Sequence, residues 1–287
     1  HKWRTAHGLS RNKMEKPMEK ITPDIDFSSE LGGLYDIRGK VAFLPGGYGG
    51  IGEAIAWGLA ILGAKVVIAG RSPDKANDLA GRIRAAGHDA RGSGVDVQSV
   101  EAIRESVDRM VQDVGPPDIL VNCVGIQREE PLLVVTEAAF DDVYRSNLKS
   151  AMFLAQAVSR HQVASAVKGK QVHLLSVRAK LGLRDRGYSA YCSTKGGLVM
   201  LIKQHAMELA RHGITVNGVA PTFVYTEMIR HVMENPEFRK QLLDRIPLGR
   251  IADPKDVVGP VLFFCSPASD FVTGQILYVD GGITASQ

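Results

Sequence analysis

Tyr191 and Lys195 stand four residues apart in "GYSAYCSTKGG". On a helix that spacing puts both side chains on one face. A cation beside a phenol favours the phenolate and lowers a pKa that is otherwise about 10. A phenol tuned in this way is an acid-base for reducing a carbonyl or oxidising an alcohol. Tyr188 lies seven residues from Lys195, roughly 10 Å along a helix axis at about 1.5 Å per residue, so only Tyr191 is expected to share a site with the ammonium. The same spacing occurs in ordinary helices, and groups from other elements must decide its meaning.

A second stretch, "VAFLPGGYGGIGEAIAWGLA", reads as a strand, a glycine-rich turn and a helix start. Glycine allows the backbone to turn tightly and approach a pyrophosphate, whose charge then sits at the positive end of the helix. Two registers fit: Gly47, Gly49 and Gly52, or Gly46, Gly50 and Gly52. Further on, the next strand ends in "IAGRSPDK". Arg71 at that end suits a ribose 2′-phosphate. NADP(H) is therefore expected over NAD(H); the alternative reads Arg71 as a solvated loop charge, with Asp74 capping the following helix.

The elements that must position these groups alternate along the chain. "VAFL", "KVVIA", "ILVNCVG", "QVHLL", "ITVNGVA" and "QILYVDGG" read as strands, and helical patterns cover 51–62, 74–86, 100–114, 137–163 and 188–211. This pattern predicts an α/β protein: a single Rossmann-type, doubly wound parallel sheet with helices on both faces. No linker rich in Pro, Gly or Ser divides it, and no repeat is visible. One domain over 37–287 is expected after a basic, flexible N-terminal extension, 1–36.

Of the 35 basic residues, six lie within the first twenty positions, and the remainder of the chain carries 29 basic and 29 acidic residues. A neutral body gives no reason to expect a nucleic-acid partner. The longest apolar run falls short of the roughly 18 residues of a membrane span, so a cytoplasmic protein is expected. Cys123, Cys192 and Cys265 form no Cys-x-x-Cys pair, and the eight histidines form no cluster. No metal site is expected, and Cys123 and Cys192 read as packing thiols.

From Ile37 to Gly282 the chain resembles the short-chain dehydrogenase/reductase family, and several separate motifs carry the resemblance. "PGGYGGIG" is similar to the family's Thr-Gly-x-x-x-Gly-x-Gly. That selects Gly46, Gly50 and Gly52, with Tyr48 and Ile51 in the same cradle and Pro45 in place of the threonine. "NCVG" resembles Asn-Asn-Ala-Gly, with Asn122 and Gly125 kept. Asp96, beside Val97 in "VDV", matches an aspartate that contacts adenine. Asn147 in "RSNLKSA" matches the asparagine of a proton relay. Ser176 aligns with the substrate-binding serine, but more residues separate it from Tyr191 than the family commonly has, which implies a loop insertion around "GLRDRG". "APTFVYTEM" resembles a Pro-Gly segment in which Pro221 is kept and Thr222 replaces the glycine. Val224 would there present its backbone to a carboxamide, and Thr226 would contact the cofactor.

The resemblance implies that Tyr191 is the acid-base, Lys195 lowers its pKa and holds the nicotinamide ribose, Ser176 binds the substrate oxygen, and Asn147 holds a water. It also places a substrate lid at about 222–250. The wording is most like members that act on polyols, sugars and sugar acids such as gluconate. Arg128, Arg184 and Arg186 are candidates for a substrate carboxylate, each equally readable as a solvated loop charge. A 3-oxoacyl carrier-protein reductase is the alternative within the class, although the neutral body offers no patch for an acidic carrier. An idle NADP-binding sensor or scaffold is the alternative outside it, against which stands the retention of Asn147, Ser176, Tyr191 and Lys195. A homotetramer or homodimer is implied, with Gly196 and Gly197 permitting close helix approach.

Overall fold

The computed structural model describes residues 27–285 except 228 and 231–233. Residues 1–26 of the expected extension lie outside the described residues, as do those four positions of the expected lid. The chain separates into two units, His1–Leu34 and Tyr35–Gln287. In the first, the described part is a short helix α1, Phe27–Gly32.

Seven strands build the second unit: β1 Val41–Pro45, β2 Lys65–Gly70, β3 Ala90–Gly94, β4 Ile119–Asn122, β5 Lys170–Leu174, β6 Thr215–Pro221 and β7 Ile276–Val279. They form one sheet in the order β3-β2-β1-β4-β5-β6-β7, and every neighbouring pair is parallel. Parallel strands are covered on both faces and so read as unbroken apolar runs. All of β1 and β6 is buried.

The helices between them are α2 Gly50–Ile61, α3 Pro73–Ala85, α4 Val100–Val114, α5 Glu137–Tyr144, α6 Ser150–Ala164, α7 Ser189–Leu209, α8 Pro236–Leu243 and α9 Pro254–Cys265. Successive strand residues point to opposite faces, and β1 shows it. Leu44 joins Ile55 of α2, Leu79 of α3 and Val261 of α9 in one buried cluster, while Phe43 joins Val107 of α4 and Leu154 of α6 in another. Each fully buried side chain of this kind contributes about 1.5–3 kcal/mol.

Several elements differ from the sequence reading. β3, "ARGSG", has two glycines and only one fully buried residue, so it lacks the β-branched run that marks the other strands. The predicted helix over 137–163 is interrupted by a π-helical turn, Arg145–Lys149. α9 carries Pro260 inside it, which hid a helix that the sequence reading did not name. Ser72, not Asp74, caps α3, its hydroxyl accepting from the Lys75 N–H at 3.3 Å.

The strand order reverses between β1 and β4, and a crevice at the carboxyl ends of strands on either side of such a point is where this architecture holds ligands. Gly46 follows β1 there with φ +77°. A Cβ at Gly46 would lie 2.8 Å from the Cys123 carbonyl carbon, so only glycine lets the two chain segments close on each other.

Candidate active site

Backbone geometry shapes the cradle at this crevice. Gly46 N–H donates to the Ala69 carbonyl at 2.8 Å and Cys123 N–H to the Pro45 carbonyl at 2.9 Å, which ties β1, β2 and β4 together at their ends. A Cβ on Gly52 would meet the Gly46 carbonyl oxygen at 2.6 Å, and one on Gly50 would meet Thr226 Cγ2 at 2.7 Å. Gly47 is packed as tightly, a Cβ there meeting Leu44 Cγ at 2.7 Å, whereas one on Gly49 would have its nearest neighbour at 3.7 Å, so Gly49 is the member of the two registers that packing does not require. No side chain caps α2 at Gly49, so the N–H groups of its first turn, Ile51 among them, are open to an anion. An uncapped helix start behind close-packed glycines fits the pyrophosphate of a dinucleotide.

Tyr48 packs its ring against Gly70, where a Cβ would overlap it, and its hydroxyl accepts from Ser72 N–H at 3.1 Å. That fixes the turn carrying Arg71, whose side chain is exposed. Arg71 lines a cleft of about 380 Å³ with Gly94, Val95, Asp96, Ala102 and Arg109. Asp96 Oδ1 accepts from Gln98 N–H at 3.0 Å, and Val97 is buried beside it. Asn122 is buried, its Oδ1 accepting from Val124 N–H at 3.0 Å. The amide therefore shapes the loop that leads to Gly125.

Lys195 and Asn147 meet at Gly125. A Cβ there would lie 3.4 Å from Lys195 Nζ and 3.9 Å from Asn147 Oδ1. Asn147, in the π-helical turn, is buried; π turns often mark functional positions. Its Oδ1 accepts from Ile126 N–H at 2.8 Å, and its Nδ2 donates to the Ile126 carbonyl at 2.9 Å and to Thr194 Oγ1 at 3.3 Å. The side-chain amide is thus committed to protein partners. Thr194, which the sequence reading did not select, completes the arrangement from α7.

Tyr191 and Lys195 do lie on one face of α7, with Nζ 5.6 Å from the centre of the Tyr191 ring. The expected lowering of the Tyr191 pKa by Lys195 is not what the structure gives. Burial pushes Tyr191 up to about 12, opposed chiefly by a hydrogen bond with Ser176. Lys195 is itself lowered to about 8 by burial, and its Nζ donates to the Leu174 carbonyl at 2.8 Å. For Tyr191, loss of water outweighs both the Ser176 hydrogen bond and the nearby Arg178 charge. Tyr188 is half-buried, its ring 6.0 Å from that of Tyr191. Burial pushes Cys123 up to about 12 and raises Cys192 as well, so both thiols remain protonated and unreactive.

The loop after Ser176 settles against a neighbouring loop. Glu130 N–H donates to the Gly187 carbonyl at 3.1 Å, and Arg186 forms a bidentate pair with Glu129. Arg128 is likewise paired, with Asp142 at 2.9 Å. Two of the three arginines considered for a carboxylate are therefore neutralised within the protein, and Arg184 is exposed. Pro221 ends β6. Beyond it, Val224 bridges Ala252 through Tyr225 N–H at 2.8 Å and the Phe223 carbonyl at 3.3 Å, and neither bond uses Val224's own N–H or C=O. The segment after it packs Phe223, Ile229 and Phe238 around the buried Leu242 and Ile246.

Comparison with known proteins bears on what this site does. A family model described as Enoyl-(Acyl carrier protein) reductase matches residues 47–284. The chain is 38% identical over 253 residues to the gluconate 5-dehydrogenase of Gluconobacter oxydans (strain 621H), covering 88% of this chain and 98% of the relative. The chain belongs to the short-chain dehydrogenase/reductase family. It is 36% identical over 250 residues to the 5-keto-D-gluconate 5-reductase of Escherichia coli (strain K12), covering 87% and 97%. The crystal structure of a gluconate 5-dehydrogenase from Burkholderia cenocepacia J2315 in complex with NADP and tartrate superposes with a TM-score of 0.84 at 38% identity, covering 88% and 98%. This short-chain dehydrogenase/reductase is an NAD(P)-dependent oxidoreductase that interconverts a secondary alcohol and a ketone. Among the described residues, no helix is long and apolar enough to cross a membrane.

Proposed function

We propose that the protein interconverts the ketone and secondary alcohol of a sugar acid and uses NADP(H) in preference to NAD(H). The observation that carries the reading is the convergence of Lys195 and Asn147 on Gly125, with the Tyr191 ring 5.6 Å from Lys195 Nζ and its hydroxyl hydrogen-bonded to Ser176. The relatives' names support the sugar acid, and Arg71 at the end of β2 supports the 2′-phosphate.

When bound, the dinucleotide supplies or accepts the hydride. Tyr191, held at about 12, stays protonated at neutral pH and gives its proton to the ketone oxygen. The Ser176 hydroxyl donates to the same oxygen, where charge develops in the transition state. Lys195, at about 8, remains mostly charged at neutral pH and orients the ribose. Since the Asn147 amide is occupied, the backbone of its π turn is left to hold a water that restores, by way of Lys195, the proton Tyr191 has given up.

A homo-oligomer belongs to the same reading. Met200 and Met207 on α7 are 62% and 65% exposed and stand seven apart, on one helix face. Gly197 admits Leu148 of the same chain, where a Cβ would lie at 3.0 Å.

The test follows NADPH absorbance with 5-keto-gluconate, a neutral ketohexose, a simple ketone and a 3-oxoacyl thioester. The keto acid is expected to have the highest kcat/KM. Turnover of the simple ketone or the thioester with none of the keto acid would overturn the substrate reading.

A further inference from the structure

Arg178 is 6% exposed and lies two residues after Ser176, in the short 3-10 turn Val177–Ala179. Its N–H donates to Ser176 Oγ at 3.2 Å. Its Nη1 donates to the Leu181 carbonyl at 3.4 Å and the Gly182 carbonyl at 2.6 Å, which places the guanidinium against the inserted loop. The Cys192 thiol donates to that same Leu181 carbonyl at 4.0 Å. Since Cys192 adjoins Tyr191, the guanidinium lies alongside the start of α7.

A guanidinium carries five N–H donors in a planar fork. Among the described residues, protein acceptors take only Nη1. The Nε and Nη2 groups, which share one edge of the plane, have none. No carboxylate among the described residues pairs with Arg178, whereas Arg128 and Arg186 each have one. The charged neighbour it does have, Arg245, is another cation, and burial and Arg245 both act against its charge. Arginine nevertheless stays protonated in proteins, and the Nε–Nη2 edge, free of protein acceptors on an otherwise buried residue, is open to an anion from outside.

We propose that Arg178 recognises the substrate carboxylate: the Nε–Nη2 edge makes a paired contact with the acid group of a sugar acid whose ketone lies at Ser176 and Tyr191. This inference rests on the sugar-acid reading above. Paired, parallel donors fit the two oxygens of a carboxylate. Arg178 sits where the usual spacing to Tyr191 would have put a serine, so the inserted residues bring a cation to the reaction centre.

The experiment compares kcat/KM for 5-keto-gluconate, a neutral ketohexose and a ketohexose phosphate in wild type, Arg178→Met and Arg178→Lys. In both variants the ratio of keto acid to neutral ketose is expected to fall, roughly tenfold or more in Arg178→Met, mainly through KM. Lysine keeps the charge but not the fork, so Arg178→Lys is expected to fall between the two. It also carries the test if the methionine variant does not fold. Should Arg178 only anchor the loop, both substrates would suffer alike and the ratio would hold, which overturns the proposal while leaving the sugar-acid reading intact. A loss confined to the phosphate substrate would overturn the carboxylate assignment. Wild-type turnover of the neutral ketose without the keto acid would overturn both readings.

Discussion

Lys195 Nζ lies 5.6 Å from the centre of the Tyr191 ring and donates to the Leu174 carbonyl at 2.8 Å. The ammonium therefore reaches past the phenol to the end of β5, where Gly125 comes close to it. Burial moves the two groups in opposite senses, Tyr191 up to about 12 and Lys195 down to about 8. Both shifts favour the neutral forms.

Stability should record the Lys195 shift. Its pKa is about 8 when folded against an ordinary value of 10.5, so between these values the unfolded chain holds a proton that the folded chain has released. Stability from this group then rises with pH. Tyr191 acts in the other direction above its ordinary value of 10, since the unfolded phenol ionises first. The useful window is therefore pH 8 to 10, with a gain of about 2 to 3 kcal/mol attributable to Lys195. Urea unfolding of wild type and Lys195→Met across that window should show wild type gaining stability relative to the variant as pH rises. Parallel pH profiles would contradict it.

The cradle predicts a rescue. Gly50→Ala would place a methyl group 2.7 Å from Thr226 Cγ2 and should weaken NADPH binding roughly tenfold, a cost of the size expected from overpacking. Thr226→Ser removes that methyl contact and keeps the hydroxyl, leaving Cβ 2.8 Å from the same point. In the double variant part of the affinity should return, measured by NADPH fluorescence titration. No recovery would mean that the alanine disturbs the α2 start itself.

Arg71 should set the choice of dinucleotide. Arg71→Ala is expected to raise the KM for NADPH roughly tenfold or more and to change that for NADH much less. Equal losses with both dinucleotides would assign Arg71 to general positioning.

Much of this was legible in the sequence because the decisive signals are local. The buried runs of β1, β2 and β6, the glycines after β1, and the four-residue step from Tyr191 to Lys195 each report on their own neighbourhood. What escaped depends on distant packing. β3 is held by pairing with β2 rather than by side-chain pattern, and the π turn at Asn147 leaves the apolar rhythm of its helix unchanged. A sequence shows that Arg128 and Arg186 are cations but not that Asp142 and Glu129 neutralise them. Nor does it show that Arg178 is buried without a carboxylate. The same reasoning explains the misjudged Tyr191: spacing reports the neighbouring charge, whereas burial of the phenol emerges only from the assembled fold.

The most direct test of the central claim measures 5-keto-gluconate reduction by NADPH in wild type and in Tyr191→Phe, with NADPH affinity measured beside it. A proton donor of this kind contributes about 10²–10⁴-fold, so the phenylalanine variant should lose at least a hundredfold in kcat, roughly, while still binding NADPH. A variant that binds NADPH and reduces the keto acid at the wild-type rate would contradict the account.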